Sequence, residues 1–426
     1  MSDNQRRIVS RLAFLFLCLL PTGFVVYQLL HQPTVFDWQA ALQAKLGWNV
    51  QIDHMETPVP GTVIFHGVQI KDASGAVPAE LNKVTLVTGK RHQLIIDHAV
   101  NLSPESLAYL VRLSGDQFSQ IGFDSRPWQI IFNGGLTVVD EANVADVGVR
   151  LKPAQIDVQR VDGVVNATMQ MRIPSQESDN HSPANIMTCS FEQNLFDKRK
   201  IIEVKTGPAG YLPSQFARPW LKEVHHFGDE SYFSGNVTIA VDAHENVDAR
   251  IVGVVGLINL ENLVQPYGHV LRGRGEIVDF DCKIVDSRIK HIAGNLRSTY
   301  QGQVGRELLW AAQQHLGIPS YDKTNSDIVT FGDFSFDWQI SDGELTVARD
   351  LAVAPREQNN VIARDVQGNN LLVSPNGHAV PIHQFASFLV PATTAPGVHE
   401  ETVSLLSRFH FPKARMADLD TETLQR

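Results

Sequence analysis

The sequence predicts a mostly β protein: an N-terminal transmembrane helix followed by a large antiparallel β-sheet with a few short helices. Three observations carry this reading. Residues 12–30 form one uncharged apolar run, apolar and polar side chains alternate with a period of two from Val50 onward, and Asp-Gly dipeptides punctuate the alternating segments.

The apolar run, LAFLFLCLLPTGFVVYQLL, reaches about 28 Å as a helix, close to the thickness of a bilayer's hydrocarbon core. Leu12, Phe14, Leu17, Phe24 and Leu30 are its anchoring side chains, and Tyr27 and Trp38 are candidates for the far interface. Arg6, Arg7 and Arg11 precede it and His31-Gln32-Pro33 follows, so the positive-inside rule places residues 1–11 in the cytoplasm and the body across the membrane. A cleaved signal peptide is the competing reading. The run is longer than a usual signal core and no small-x-small site follows it, which favours an uncleaved anchor. Leu17 before Cys18 argues against a lipoprotein signal.

Residues 36–46 (FDWQAALQAKL) carry Trp38, Ala41, Leu42 and Leu46 at helical spacing, with Gly47 as the stop. Two placements fit this short helix: along the membrane surface, or capping the sheet. The body then extends to residue 411, and 412–426 form a polar tail that is a candidate for disorder. Alternation is clearest in Val165, Ala167, Met169, Met171 and Ile173, in Val237, Ile239 and Val241, and in Phe334, Phe336, Trp338 and Ile340. Asp162-Gly163 and Asp342-Gly343 accept the positive φ angles of two-residue hairpin turns, so neighbouring strands are expected to be antiparallel. Helical interruptions are expected at 104–113, 213–223, 304–316, 382–390 and 400–409, and loops at 175–184 and 355–360. No repeat of fixed period appears.

Composition excludes several functions. The net charge is −10, and Lys198-Arg199-Lys200 is the one basic run beyond the N-terminus, so nucleic acid is not an expected partner. No GxSxG elbow, phosphate-binding loop or dinucleotide fingerprint occurs. The run His244-Glu245-Asn246-Val247-Asp248 nearly matches a zinc helix but falls in a predicted turn, and His225-His226 are adjacent, a poor bidentate pair. Asp279 and Asp281 read as sharing a strand face opposite Phe280 and Cys282, where a solvated pair is the simplest account. Cys189 and Cys282 could pair, but each lies on the apolar side of an alternating segment, which favours two buried thiols. No catalytic residue, metal site or cofactor is expected.

The N-terminal order of features resembles the AsmA-like superfamily of bacterial envelope proteins, which includes TamB and its relatives. The matching stretch holds the apolar run, the short helix ending in Leu46-Gly47, Val50-Gln51-Ile52, Pro60-Gly61, Val63-Ile64-Phe65 and Gly67-Val68-Gln69-Ile70-Lys71-Asp72. A second stretch runs from Leu271-Arg272-Gly273-Arg274-Gly275 through Ile284–Ile289 to Gly294-Asn295-Leu296. The resemblance covers about a third of the chain and implies a bacterial inner-membrane protein with a periplasmic, extended and curved β-sheet. Its groove would be apolar, and its work envelope lipid transport or outer-membrane assembly and maintenance. The implied partners are the membrane, a phospholipid or other acyl-chain lipid, and envelope proteins. Phe334, Phe336, Trp338, Ile340, Val165, Ala167, Met169 and Met171 are the candidate lining.

Two alternatives remain open in the sequence. One is a non-enzymatic scaffold with a closed β core that docks envelope partners; the other is a tethered hydrolase built from dispersed carboxylates. An open groove predicts that Phe336→Asp lowers lipid occupancy in a folded protein, whereas a closed core predicts that it destabilises.

Overall fold

A computed structural model describes residues 34–46, 49–71, 79–97, 100–103, 126–138, 149–151, 154–173, 186–217, 222–322, 326–349, 360–374 and 379–389. The expected anchor at 12–30, the helices at 104–113 and 400–409, the loop at 175–184, most of the loop at 355–360 and the tail lie outside these residues. Among the described residues no helix is long and apolar enough to cross a membrane. The chain divides into two compact units, Met1–Thr88 and Gly89–Arg426.

The first unit has helix α1 (Val35–Leu46) and a three-stranded antiparallel meander, β1 (Asn49–Val59), β2 (Thr62–Lys71) and β3 (Ala79–Val87). The helix begins where the sequence supplies a reciprocal cap. Thr34 donates its N–H and its hydroxyl to Asp37 Oδ2, each at 2.7 Å, and its Oγ1 accepts from the Asp37 N–H at 3.3 Å. These bonds hold the Asp37 carboxyl below its usual range. Trp38 on the helix meets Phe65 edge-on, with ring centroids 5.5 Å apart. In β2 the buried side chains are Phe65, Val68 and Ile70, a break in strict alternation. Gly67 lies between them at φ +61°, and the Asp53 side chain occupies the space where a Cβ would stand.

The second unit is dominated by an open, almost wholly antiparallel sheet. In chain order its elements are β4 (His92–Ile96), β5 (Val100–Leu102), β6 (Trp128–Phe132), β7 (Leu136–Val138), β8 (Val149–Leu151), β9 (Ala154–Val161), β10 (Val164–Arg172), β11 (Ile186–Asn194) and β12 (Lys200–Thr206). There follow β13 (Leu212–Pro213), β14 (Tyr232–Val241), β15 (Val247–Asn259), α2 (Leu260–Val264), β16 (Leu271–Arg272), β17 (Arg274–Val285), β18 (Arg288–Ser298) and β19 (Gly302–Gly305). The chain then forms α3 (Arg306–Leu316), β20 (Ile328–Ser341), β21 (Glu344–Ala348), β22 (Val361–Asp365), β23 (Asn370–Val373), β24 (Ala379–Pro381) and α4 (Ile382–Leu389). Strands β5, β7 and β8 form a separate small sheet, and β4 pairs with β6 in parallel.

From β9 to β21 the main strands run up and down, so their connections alternate between two ends. All the tight turns fall at one end: β9–β10, β11–β12, β14–β15, β17–β18 and β20–β21. The long connections fall at the other, and those from β12 to β14, β15 to β17 and β18 to β20 carry the short helices. Asp162-Gly163 (φ 50° and 79°) and Asp342-Gly343 (φ 51° and 82°) are the two-residue turns expected. Asp286-Ser287 (φ 49° and 62°) is a third, without glycine.

Two bulges correct the sequence reading. Asp279 (φ 53°) is an extra residue in β17, so Val278 pairs with Asn295 and Ile277 with Leu296. Asp279 therefore does not share a continuous face with Asp281, which instead forms an ion pair with Arg250 at 3.1 Å. Leu257 (φ 52°) plays the same part in β15. Helix α3 begins at Arg306 rather than 304 because Val304 is a strand residue, paired with Leu271 and Val329. The expected helix at 213–223 is two 3-10 turns, Ser214–Ala217 and Lys222–Phe227.

The densest core lies at the C-terminal end. Strand β20 divides there: its first half pairs with β19 and β22, its second with β18 and β21. Leu308, Leu309, Ala312 and Leu316 of α3 and Ile382 of α4 are buried in this core with Phe331, Ile340, Leu345 and Val347. His269 ties α4 down through an Nε2–H donated to the Phe388 carbonyl at 3.2 Å.

Candidate functional site

Residues opposite one another on paired strands share a face of the sheet, so the registers can be followed from strand to strand. Starting in β10, Met169 pairs with Cys189, then Val204, Val237, Ile251, Cys282, Ile292, Ile340, Leu345 and Val380. In the other direction Met169 pairs with Ile156, then Ile130 and Leu94. Every member of this row, from β4 to β24, is apolar. At about 4.8 Å per strand the row is on the order of 60 Å long along the sheet.

The neighbouring row, displaced by one residue, is polar throughout. It runs Gln129, Asp157, Thr168, Ser190, Glu203, Thr238, Arg250, Lys283, His291, Ser341. Its side chains are partly tied together: Gln129 donates to Asp157 at 3.4 Å, Arg91 forms an ion pair with the same carboxylate, and Asn295 donates to Asp337 at 2.5 Å further along that face. The sheet is thus amphipathic through its thickness.

Register brings the two groups of predicted residues together. Val165, Ala167, Met169 and Met171 on β10 and Phe336, Trp338 and Ile340 on β20 all lie on the apolar face, through the partners Phe191, Ile202, Ile239, Leu296 and Gly294 among others. Their surroundings differ. Phe334, Phe336 and Trp338 pack against the core that α3 and α4 cover, and Ile340 is inside it. In β10, Val165 and Met171 are buried while Ala167 and Met169 are half-buried. The middle of the row, Met169, Cys189, Val204, Val237 and Ile251, is half-buried throughout.

Glycines open the middle of this face. Gly235 and Gly253 are partners, and a Cβ on Gly253 would stand 2.8 Å from the Gly235 Cα and collide with the Ser234 carbonyl. Two backbones approach there as only glycine allows. Thr206 is seated beside them, its Oγ1 accepting from the Gly235 N–H at 2.8 Å.

Two thiols lie on the apolar face. Cys189 and Cys282 are both free and stand four strand steps apart in the row, about 19 Å, far beyond disulfide reach. Burial pushes the Cys189 thiol up to about 12, and burial with the nearby Asp281 charge pushes Cys282 up to about 11. Neither is a thiolate at neutral pH. His244 to Asp248 span the β14–β15 hairpin and the start of β15, where the Asp242 carboxylate accepts from the backbone N–H groups of His244 and Asn246. The rings of His225 and His226 lie tilted at 39° with centroids 3.8 Å apart in a 3-10 turn. Among the described residues no three His, Cys, Asp or Glu side chains are arranged to hold a metal ion.

Neither protein families, nor curated proteins, nor solved structures give a match to this chain.

Proposed function

We propose that the chain is an inner-membrane-anchored periplasmic protein of the AsmA-like kind, whose apolar sheet face holds the acyl chains of a phospholipid or similar lipid during envelope lipid transport or outer-membrane maintenance. The observation that carries this reading is the unbroken apolar row backed by an unbroken polar one. A surface of that form presents hydrocarbon on one side and water-compatible groups on the other, which suits a ligand that is itself a long hydrocarbon. The half-buried middle of the row, between β10 and β15, is the segment best suited to contact a lipid. Unreactive thiols on that face agree with a binding role without chemistry.

A scaffold with a closed β core is the second reading, favoured by one observation: α3 and α4 already cover the C-terminal end of the face.

Photocrosslinking separates the two. A benzophenone amino acid is placed in the full chain, in cells, at Phe191 or Ile202 on the apolar face and at Thr188 or Glu203 on the polar one. Lipid adducts at the first pair and not the second support the acyl-chain reading. Protein adducts or none at Phe191 and Ile202 replace it with the scaffold.

A further inference from the structure

The Lys198-Arg199-Lys200 run, which acyl-chain binding does not need, begins at the tip of the β11–β12 hairpin beside the most exposed aromatic ring among the described residues. Phe196 is 81% exposed, and Val161, at the end of the adjoining β9, is 56% exposed. The two hairpin tips abut. The Phe196 ring fills the space where a Cβ on Gly163 would stand, and the Leu195 N–H donates to the Gly163 carbonyl at 3.0 Å. The tip is also held from within: Asn194 Oδ1 accepts from the Phe196 N–H and Asp197 Oδ1 from the Arg199 N–H, both at 2.9 Å. An exposed phenyl ring is therefore fixed in place rather than carried on a loose loop, and little ordering cost remains to be met on binding.

We propose that these paired tips form a peripheral membrane contact, inserting Phe196 and Val161 into an anionic phospholipid surface while Lys198 and Arg199 meet the headgroup phosphates. Charge complementarity selects this occupant. Lys198 and Arg199 are exposed, and among the described residues neither joins an ion pair. A ring flanked by basic side chains is the combination that the interface of an anionic bilayer stabilises, through apolar burial and surface potential together. The other tips at the same end differ. They offer Asp242, Glu245, Asp286, Asp342 and Glu344, with Arg288 as a single basic side chain and no exposed aromatic one, so among the described residues an exposed ring beside adjacent basic side chains is found at one corner, where Asp162 and Asp197 are the acidic neighbours, of a chain whose net charge is −10.

The test uses the full chain carrying Cys18→Ser, Cys189→Ala, Cys282→Ala and Phe196→Cys, so that residue 196 holds the single thiol, labelled with a nitrobenzoxadiazole fluorophore at neutral pH. The protein is reconstituted into vesicles of phosphatidylcholine with phosphatidylglycerol, or of phosphatidylcholine alone. The expected result is a blue-shifted emission and protection from aqueous dithionite only in the anionic vesicles. Each basic side chain is worth about fivefold near such a surface. Adding Lys198→Glu and Arg199→Glu should then cut the ratio of inserted to aqueous label by at least about 25-fold. A label that stays aqueous in anionic vesicles overturns the proposal and leaves the tip to an acidic protein. Equal protection in neutral vesicles, or equal protection of a label at Glu245→Cys, overturns it too, because the contact would then not be selected by charge or by this tip.

Discussion

Placing one aspartate at two positions of the same apolar face should give two different results. Phe336 pairs with Leu296, meets Phe334 edge-on at 5.4 Å, and packs against the core beneath α3 and α4. Replacing it with Asp forfeits about 1–2 kcal/mol of partial burial, about 0.5–1.5 kcal/mol of aromatic pairing, and about 1–3 kcal/mol for a polar group left in apolar surroundings. The total is about 2.5–6.5 kcal/mol. Val237 lies in the half-buried middle of the row, where a smaller side chain is lost and the new carboxylate can reach water, so Val237→Asp should cost about 1 kcal/mol. Urea unfolding of the full chain, followed by tryptophan fluorescence, measures both. With a slope of about 3 kcal/mol/M, the Phe336→Asp midpoint should fall by about 1 M or more and the Val237→Asp midpoint by about 0.3 M. Lipid recovered with the purified protein should drop for Val237→Asp despite its near-native stability. Equal midpoint shifts would refute the division of the face into a covered end and an accessible middle.

Gly253→Ala should destabilise by about 2 kcal/mol or more, since the new Cβ meets backbone atoms of β14 on a paired strand, and the same unfolding experiment reads it. Burial lowers the pKa of His269 below its ordinary value of 6.5, opposed by its bond to the Phe388 carbonyl. The unfolded chain therefore binds the proton first. Stability should be full above pH 6.5 and decline as pH falls from there toward the lowered folded value, a slope that His269→Gln should flatten. Two hairpin loops share one construction: Asp242 and Asp365 each accept from the backbone N–H groups two and four residues on and from the Asn four residues on. At the matching left-handed position one has Glu245 (φ 65°) and the other Gly368 (φ 86°). Glu245→Gly should stabilise by about 0.5–1 kcal/mol, measurable as a raised urea midpoint.

The local grammar of this sheet was legible in the sequence, and its long-range assembly was not. Alternation in 165–173, 237–241 and 334–340 marked true strands, the Asp-Gly pairs marked true turns, and the apolar stripe of residues 304–316 marked a true helix, though its first member, Val304, belongs to a strand. Those signals depend on residues a few positions apart. Pairing order, the parallel contact of β4 with β6, and the division of β20 between two neighbours depend on residues far apart in the chain. The bulges at Leu257 and Asp279 were also hidden, because neither residue is a glycine and each looks like one more member of an alternating run. Alternation made Phe334 to Ile340 and Val165 to Met171 candidates for one site. Only register could join them through Cys189, Val204, Val237 and Cys282, and only packing could distinguish the covered end from the middle.

The separation of tight turns and long connections to opposite ends bears on how the sheet comes into being. Between β9 and β18 the main strands pair with main strands adjacent in the chain, so each new hairpin finds its partner already waiting. Such an order needs little loop closure at any step, and the sheet can lengthen strand by strand as the polypeptide emerges, the N-terminal part zipped before the last helices exist. The growing edge is then always the most recently made strand; α3 is made just before β20, whose aromatic side chains pack beneath it, and α4, the last described element to emerge, completes the cover of that end of the face.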